Sequence, residues 1–202
     1  MHLTVAALAG LGATYLFGYW SIPVWLAVAF VFQFFRDPQR TVTADPGAVV
    51  APASGKIVAI GEAPNAYDGD QKALKVSIFM NVFSVHSNLI PVGGTIVSST
   101  YFPGKFINAA VEKSSRENER NAIVIRSRDG HRVVCVQIAG LIARRILCYV
   151  KTGDQVPTGQ RYGFIRFGSR VDLYLPRESR LTVRLGQWVT SGNDTVGYLP
   201  GY

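Results

Sequence analysis

Hydrophobic and polar positions divide this chain into two regimes. From Leu3 to Phe35 the chain runs for 33 residues without an Asp, Glu, Lys or Arg. One helix needs about 20 apolar residues to cross a bilayer, and this run is longer. It is broken at Gly18-Tyr19-Trp20-Ser21-Ile22-Pro23, where turn formers and interfacial aromatics cluster. The pattern predicts a helical hairpin with arms Leu3–Phe17 and Val24–Phe35. At ~1.5 Å per residue each arm reaches roughly 18–23 Å, short of the ~30 Å hydrocarbon core, so the arms embed or cross only where the bilayer is thin. Only Met1 and His2 precede the run, which lacks the basic start and short apolar stretch of a secretory signal. A hairpin buried in a soluble core is the bland alternative, and neither arm alternates with the polar residues it would need.

Beyond Gly47 the apolar runs are short and punctuated by Gly, Pro, Asn and Asp. Strands are expected over Gly47–Ala51, Lys56–Ile60, Ala73–Phe79, Gly94–Thr100, Ala122–Ile125, Arg132–Ile138, Ile146–Val150, Arg170–Leu175 and Leu181–Leu185. No helical period lasts more than three turns after residue 36. The expected fold is therefore mainly β, a barrel- or sandwich-like domain over 36–202 preceded by a hydrophobic membrane hairpin over 1–35. The polar stretch Glu112–Asn121 is a candidate flap. Gly153-Asp-Gln-Val156-Pro-Thr-Gly159 recurs after 33 residues as Gly186-Gln-Trp-Val189-Thr-Ser-Gly192. Glycines at fixed offsets around one valine suit tight turns where strands change direction, as in small carrier domains. A lipoyl- or biotin-type carrier would need a lysine at a hairpin tip, for which Lys72 is the candidate.

Composition sharpens this picture. The 202 residues are 48% hydrophobic and 17% charged, too apolar for a disordered chain. The net charge of +8 lies entirely beyond residue 35 and implies a polyanionic partner, either nucleic acid or an anionic membrane surface. Arg36 and Arg40 follow the apolar run directly, which places the β domain on the cytoplasmic side of the cell membrane, peripheral or hairpin-anchored. The stretch from Arg144 to Arg184, with nine Lys+Arg against three Asp+Glu, suits anionic headgroups or is simply a solvated face. Cys135 and Cys148 form neither a disulfide framework nor a metal-ligand spacing, so no metal site is expected.

Three local features could carry chemistry: His86, the pair Gly168-Ser169, and Pro52-Ala53-Ser54-Gly55-Lys56. Each alone has a structural explanation, as a core histidine, a bulge and a turn. Their order is more specific. Phe35-Arg36-Asp37-Pro38, Pro52-Ala53-Ser54-Gly55-Lys56, Met80-Asn81-Val82-Phe83-Ser84-Val85-His86, Tyr101-Phe102-Pro103-Gly104, Glu117-Asn118-Glu119-Arg120-Asn121, Gln137-Ile138-Ala139-Gly140 and Phe167-Gly168-Ser169-Arg170-Val171-Asp172 together resemble the short bacterial and archaeal type of phosphatidylserine decarboxylase over essentially the whole chain.

The resemblance implies a proenzyme that cuts itself between Gly168 and Ser169. A β chain, 1–168, and an α chain, 169–202, would remain together as a heterodimer, with Ser169 converted to a pyruvoyl group. His86 would act as base. The pyruvoyl carbonyl would serve as electron sink while carbon dioxide leaves phosphatidylserine, giving phosphatidylethanolamine with no separate cofactor and no nucleic-acid partner. The chain departs from the family at one point. Where an aspartate is expected to orient the histidine, it has Ser54. Losing an orienting carboxylate can cost about 10⁴ in rate, which leaves slow cleavage, a borrowed carboxylate such as Asp68 or Asp70, or failed cleavage open. The rival reading is a non-catalytic, membrane-anchored relative that binds anionic phospholipid without processing.

Overall fold

The computed structural model describes residues 2–36, 38, 40, 42, 45–109, 117–141, 145–165 and 168–202. The chain forms two compact units, Met1–Pro38 and Gln39–Tyr202.

In the first unit, helix α1 (His2–Phe17) and helix α2 (Ile22–Phe34) are joined by one 3-10 turn over Gly18–Ser21. Trp25 Nε1 donates to Thr14 Oγ1 at 2.8 Å. Eleven residues of continuous helix would separate these positions by about 16 Å, so the chain folds back on itself as the turn formers predict. The Trp25 ring lies against Gly10, where a Cβ would sit only 3.2 Å from it. Pro23 falls in the first turn of α2, where its missing N–H sacrifices no helical bond, and α2 accordingly starts before Val24. Thr14, Ser21 and Trp25 bond to one another or to nearby carbonyls, as polar groups in a low-dielectric medium must. The surface is otherwise apolar, with Tyr15, Tyr19 and Trp20 about nine-tenths exposed. By length and composition Leu3–Phe34 is apolar enough to cross a membrane.

The second unit contains fourteen described strands: β1 (Ala48–Val50), β2 (Gly55–Asn65), β3 (Gln71–Met80), β4 (Ser87–Leu89), β5 (Gly94–Phe102), β6 (Arg120–Ser127), β7 (Arg132–Ile138), β8 (Ile146–Cys148), β9 (Gln155–Val156), β10 (Arg161–Ile165), β11 (Ser169–Leu175), β12 (Arg180–Leu181), β13 (Trp188–Val189) and β14 (Thr195–Tyr198). A curled eight-stranded sheet has the order β13-β2-β3-β11-β7-β6-β5-β9, and two three-stranded sheets have the orders β1-β14-β12 and β4-β10-β8. Every pairing between these strands is antiparallel. The fold is mainly β, as expected.

The sheet order reads the same from both ends under an exchange of halves. Pro52-Ala-Ser-Gly55-Lys-Ile57-Val and Pro91-Val-Gly-Gly94-Thr-Ile96-Val begin equivalent strands β2 and β5, each with a bulge just after the isoleucine. The two glycine–valine repeats supply the two edge strands, β9 and β13. Gly153 N donates to Ile96 O at 2.9 Å and Gly186 N to Ile57 O at 2.8 Å, while Gly159 N donates to Ile90 O and Gly192 N to Ala51 O. All four glycines hold positive φ, which explains their fixed spacing. The two halves cross where Val50 N donates to Pro91 O at 3.0 Å and Leu89 N to Pro52 O at 2.9 Å. An approximate internal two-fold thus relates the three-stranded sheets and maps the large sheet onto itself.

Eight of the nine expected strands have a core matching the structure, with ends displaced by a few residues. The ninth, Leu181–Leu185, is only the two-residue β12, because a turn closed by Gln187 Oε1 on Arg184 N ends it. Strands β4, β9, β10, β13 and β14 are too short or too rich in glycine and polar residues to stand out in sequence. Within the proposed flap Glu112–Asn121, residues 112–116 lie outside the described residues. The rest is anchored: Asn118 is fully buried and donates to Ile107 O and Ala139 O at 2.7 Å.

Candidate active site

Strand β11 occupies the middle of the large sheet, between β3 and β7, and its alternation sorts its side chains onto two faces. Val171, Leu173 and Leu175 join the main core with Ile78, Met80 and Cys135. Tyr174 joins a second cluster on the other face with Ala73, Val124 and Val134. Ser169, the first residue of the strand, therefore points to the main-core face and is fully buried. It pairs with Met80, and its hydroxyl donates to Met80 Sδ at 3.6 Å. Gly168, immediately before it, has φ +61°, a left-handed conformation that any side chain would strain although the space around it is open.

His86, also fully buried, precedes β4, and its carbonyl accepts from Ile165 N at 3.3 Å. Its ring centroid lies 6.2 Å from that of Phe164. The histidine is thus held at the end of β10, three residues before Gly168. Ser54 lies two residues past Pro52, whose carbonyl accepts from Leu89 N, three residues past His86. Its hydroxyl accepts from Ser191 N and meets Ser191 Oγ, both at 3.0 Å, and Arg40 donates to that same Ser191 Oγ at 2.9 Å. The internal two-fold gives this contact a counterpart: Thr158 Oγ1 accepts from Gly93 N at 2.7 Å.

A row of buried amides, to which no role is attached in sequence, completes the face. Gln137 Nε2 donates to Asn88 Oδ1 at 2.8 Å and to Leu147 O at 3.3 Å, and Asn121 Nδ2 donates to Gln137 Oε1 at 3.4 Å. Asn88 Nδ2 reaches Met80 Sδ at 3.7 Å, the sulfur that Ser169 also meets. Asn121 and Gln137 fall inside family-order motifs and Asn88 lies two residues past one, but only the register of β6, β7 and β4 brings them together.

The opposite face carries a buried charge cluster. Asp172 pairs with Arg170 Nε at 2.8 Å and Lys75 Nζ at 3.3 Å, and Arg170 Nη1 donates to Ala109 O at 3.0 Å. Beside it is a 530 Å³ cavity lined by Tyr67, Lys75, Phe102, Arg120 and Tyr174 among others. Arg120 stacks over Phe102 and donates to Tyr67 OH at 3.0 Å. Burial raises the Tyr67 phenol above its usual range, and Arg120 offsets part of that.

Two sequence expectations need correction. Asp68 and Asp70 lie in the β2–β3 turn, with Asp68 paired to Arg132 at 2.6 Å. At ~3.3 Å per residue, the ten residues of β3 put this turn about 30 Å from Met80 and the Ser169 site, so neither carboxylate can orient His86. Arg170 is 1% exposed and belongs to the internal cluster rather than to a basic surface. Of the others in that stretch, Arg145, Lys151, Arg161, Arg177, Arg180 and Arg184 are exposed, while Arg144 and Arg166 lie outside the described residues. Lys72 is an exposed lysine near the β2–β3 turn.

Comparison with known proteins bears on the same architecture. A family profile described as phosphatidylserine decarboxylase matches residues 27–197. The chain is 56% identical over 189 residues to the phosphatidylserine decarboxylase proenzyme of Ralstonia nicotianae, covering 94% of this chain and 84% of the relative. It is 52% identical over 198 residues to the proenzyme of the same name from Burkholderia mallei, covering 98% and 88%. With the Burkholderia multivorans proenzyme it shares 56% identity over 177 residues, or 88% and 82% of the two chains. Together with the mainly β fold, these matches define the class as a decarboxylating lyase. The chain belongs to the phosphatidylserine decarboxylase family.

Proposed function

We propose that this enzyme converts phosphatidylserine to phosphatidylethanolamine and carbon dioxide after cutting its own chain between Gly168 and Ser169. The observation that carries this reading is Ser169 itself. In a family whose members are named proenzymes, it is a buried hydroxyl opening the central strand directly behind a left-handed glycine.

The chain's own groups account for the cleavage. Ser169 Oγ adds to the Gly168 carbonyl carbon, and the Gly168–Ser169 C–N bond breaks as the new C–O ester forms. His86 takes the hydroxyl proton and returns it to the departing amide nitrogen. Loss of the Ser169 α-proton then expels the Gly168 carboxylate. One water enters and one ammonia leaves, so that a ketone stands at the new terminus. Burial fits this sequence, because bulk water would hydrolyse the ester to an ordinary serine terminus.

The surroundings of Ser169 also fit a pyruvoyl group: a buried position beside the Met80 thioether, which the Asn88 amide also meets, with Gln137 behind Asn88 and no carboxylate described in contact with the serine. Held there, the group would supply an electron-withdrawing carbonyl for decarboxylation. His86 would move protons at that terminus, and the amides would orient the substrate's polar groups. The apolar hairpin would hold the domain at the cytoplasmic face of the cell membrane, where exposed Arg145, Lys151, Arg161 and Arg184 meet anionic headgroups.

Intact mass of protein purified from membranes tests the proposal. The expected result is two chains, 1–168 and 169–202, the smaller with a carbonyl-bearing terminus that hydrazines label. Ser169→Ala should remain a single chain. A wild-type chain still intact after prolonged incubation with lipid would overturn the self-cleavage reading.

A further inference from the structure

The amide row on the Ser169 face is built in a way that packing alone does not require. Asn88 and Gln137 are fully buried, and Asn121 is nearly so. Buried amides need partners, and here the order of the partners matters. Both hydrogens of Gln137 Nε2 are used, one on Asn88 Oδ1 and one on Leu147 O. The Gln137 oxygen is turned away and accepts from Asn121. With its own oxygen taken by Gln137, Asn88 must present Nδ2 to the other side, toward Met80 Sδ at 3.7 Å. Ser169 Oγ approaches the same sulfur at 3.6 Å. A thioether is a weak acceptor. Two donors therefore converge on a group that satisfies neither strongly, and one of them is the hydroxyl whose attack on Gly168 creates a much better acceptor.

We infer that Asn88, locked in one orientation by Gln137, donates its Nδ2 hydrogen to the Gly168 carbonyl oxygen as negative charge gathers there during attack by Ser169. Asn88 is the donor and Gln137 a positioning residue that acts through it. The inference rests on the self-cleavage reading and deepens it. Asn88 adds no covalent step of its own: the Oγ–C bond forms, the C–N bond breaks, and the amide only stabilises the oxygen between those events. Such donors act most strongly in a dry site, where they need no reorientation at the moment of reaction.

The test follows cleavage in freshly synthesised full-length protein inserted into phospholipid vesicles, by denaturing gel and intact mass, with and without hydroxylamine. Hydroxylamine cuts the chain wherever the ester has formed, so it separates ester formation from the later elimination. Asn88→Ala should slow spontaneous cleavage about 10²–10³-fold, the usual effect of losing one such donor, and should slow hydroxylamine cleavage equally. Asn88→Asp keeps the shape and the acceptor for Gln137 but lacks the donor, and should be as slow. Gln137→Glu can accept but not donate, so it turns the Asn88 amide around and should approach the same rate. Adding Gln137→Glu to Asn88→Ala should cost nothing more, because the second residue works only through the first.

Cleavage of Asn88→Ala or Asn88→Asp within about threefold of wild type would overturn the inference. So would wild-type hydroxylamine sensitivity in those variants, or multiplying effects in the double variant. Melting curves of uncut chains identify any variant that fails to fold, and the shape-preserving Asn88→Asp then decides. A wild-type chain that never cuts overturns the self-cleavage reading itself, whereas a wild type that cuts alongside an equally fast Asn88→Asp overturns only the role of Asn88.

Discussion

Ser54 shows how one residue can stand out in sequence and still leave its partner hidden. The family motif marks it as standing where an aspartate is expected, but only the folded chain brings it to Ser191, 137 positions away. A carboxylate at 54 would keep the Ser191 N–H and lie near the Arg40 guanidinium, two residues past the Pro52–Leu89 bond that joins this turn to the stretch following His86. Ser54→Asp is therefore expected to speed chain cleavage in a time course against wild type and His86→Ala, with the histidine variant slowest. Equal rates for wild type and Ser54→Asp would move the orienting role to another group. Ser54→Ala loses the acceptor for Ser191 N and should lower stability by about 1 kcal/mol in urea unfolding. Cys135 gives a prediction of a different kind. It is fully buried, and burial raises its thiol far above the ordinary range, so it stays protonated and inert while the only partly buried Cys148 is the more open to alkylation. Mass spectrometry after maleimide treatment of native protein should find label on Cys148 only. The sign for stability follows: above pH ~8.5 the unfolded thiol releases a proton that the folded one retains, so this contribution falls as pH rises. Cys135→Val should flatten the decline in melting temperature between pH 8 and 10.

At the level of elements, sequence was informative where strands are long and apolar and silent where they are short. The repeated glycines around Val156 and Val189 were visible as an echo, but their meaning was not, because an edge is defined by what it lies beside. Strands β9 and β13 have two residues each, and their register is fixed by the Gly153 and Gly186 bonds to Ile96 and Ile57 rather than by any pattern of their own. The polar row Asn121–Gln137–Asn88 was illegible for a related reason: its members sit on three strands that pair only through the large sheet and the crossing of the halves. Burial of Val156 and Val189 is almost equal. Val156→Ala and Val189→Ala should therefore each cost about 2 kcal/mol in denaturant unfolding, by similar loss of packing at the two edges. Unequal costs, with one near zero, would mean that the internal two-fold is a likeness of path without a likeness of energetics.

For the whole molecule, the apolar hairpin and the β domain are expected to separate in function. Deleting residues 1–35 should release the β domain from membranes while leaving it folded, as measured by flotation and circular dichroism, because every charge and every residue of the Ser169 site lies beyond that point. A truncated chain that is uniformly insoluble would make the hairpin part of the core. The position of β11 bears on the life of the molecule after the proposed cut. A chain beginning at Ser169 would hold the sheet's central strand between β3 and β7, and would carry β13 to one edge and β14 into a smaller sheet. Such a fragment cannot leave without dismantling the domain, so the two pieces should co-purify until denatured. Before the cut, unfolding is a unimolecular affair and a diluted chain finds its own parts. Afterwards recovery depends on two separate molecules meeting, with a rate that falls with dilution and a competitor in aggregation. Maturation would then be a one-way commitment in time: the precursor can be unfolded and rescued, while the mature enzyme folds once and, when lost, must be replaced by new synthesis.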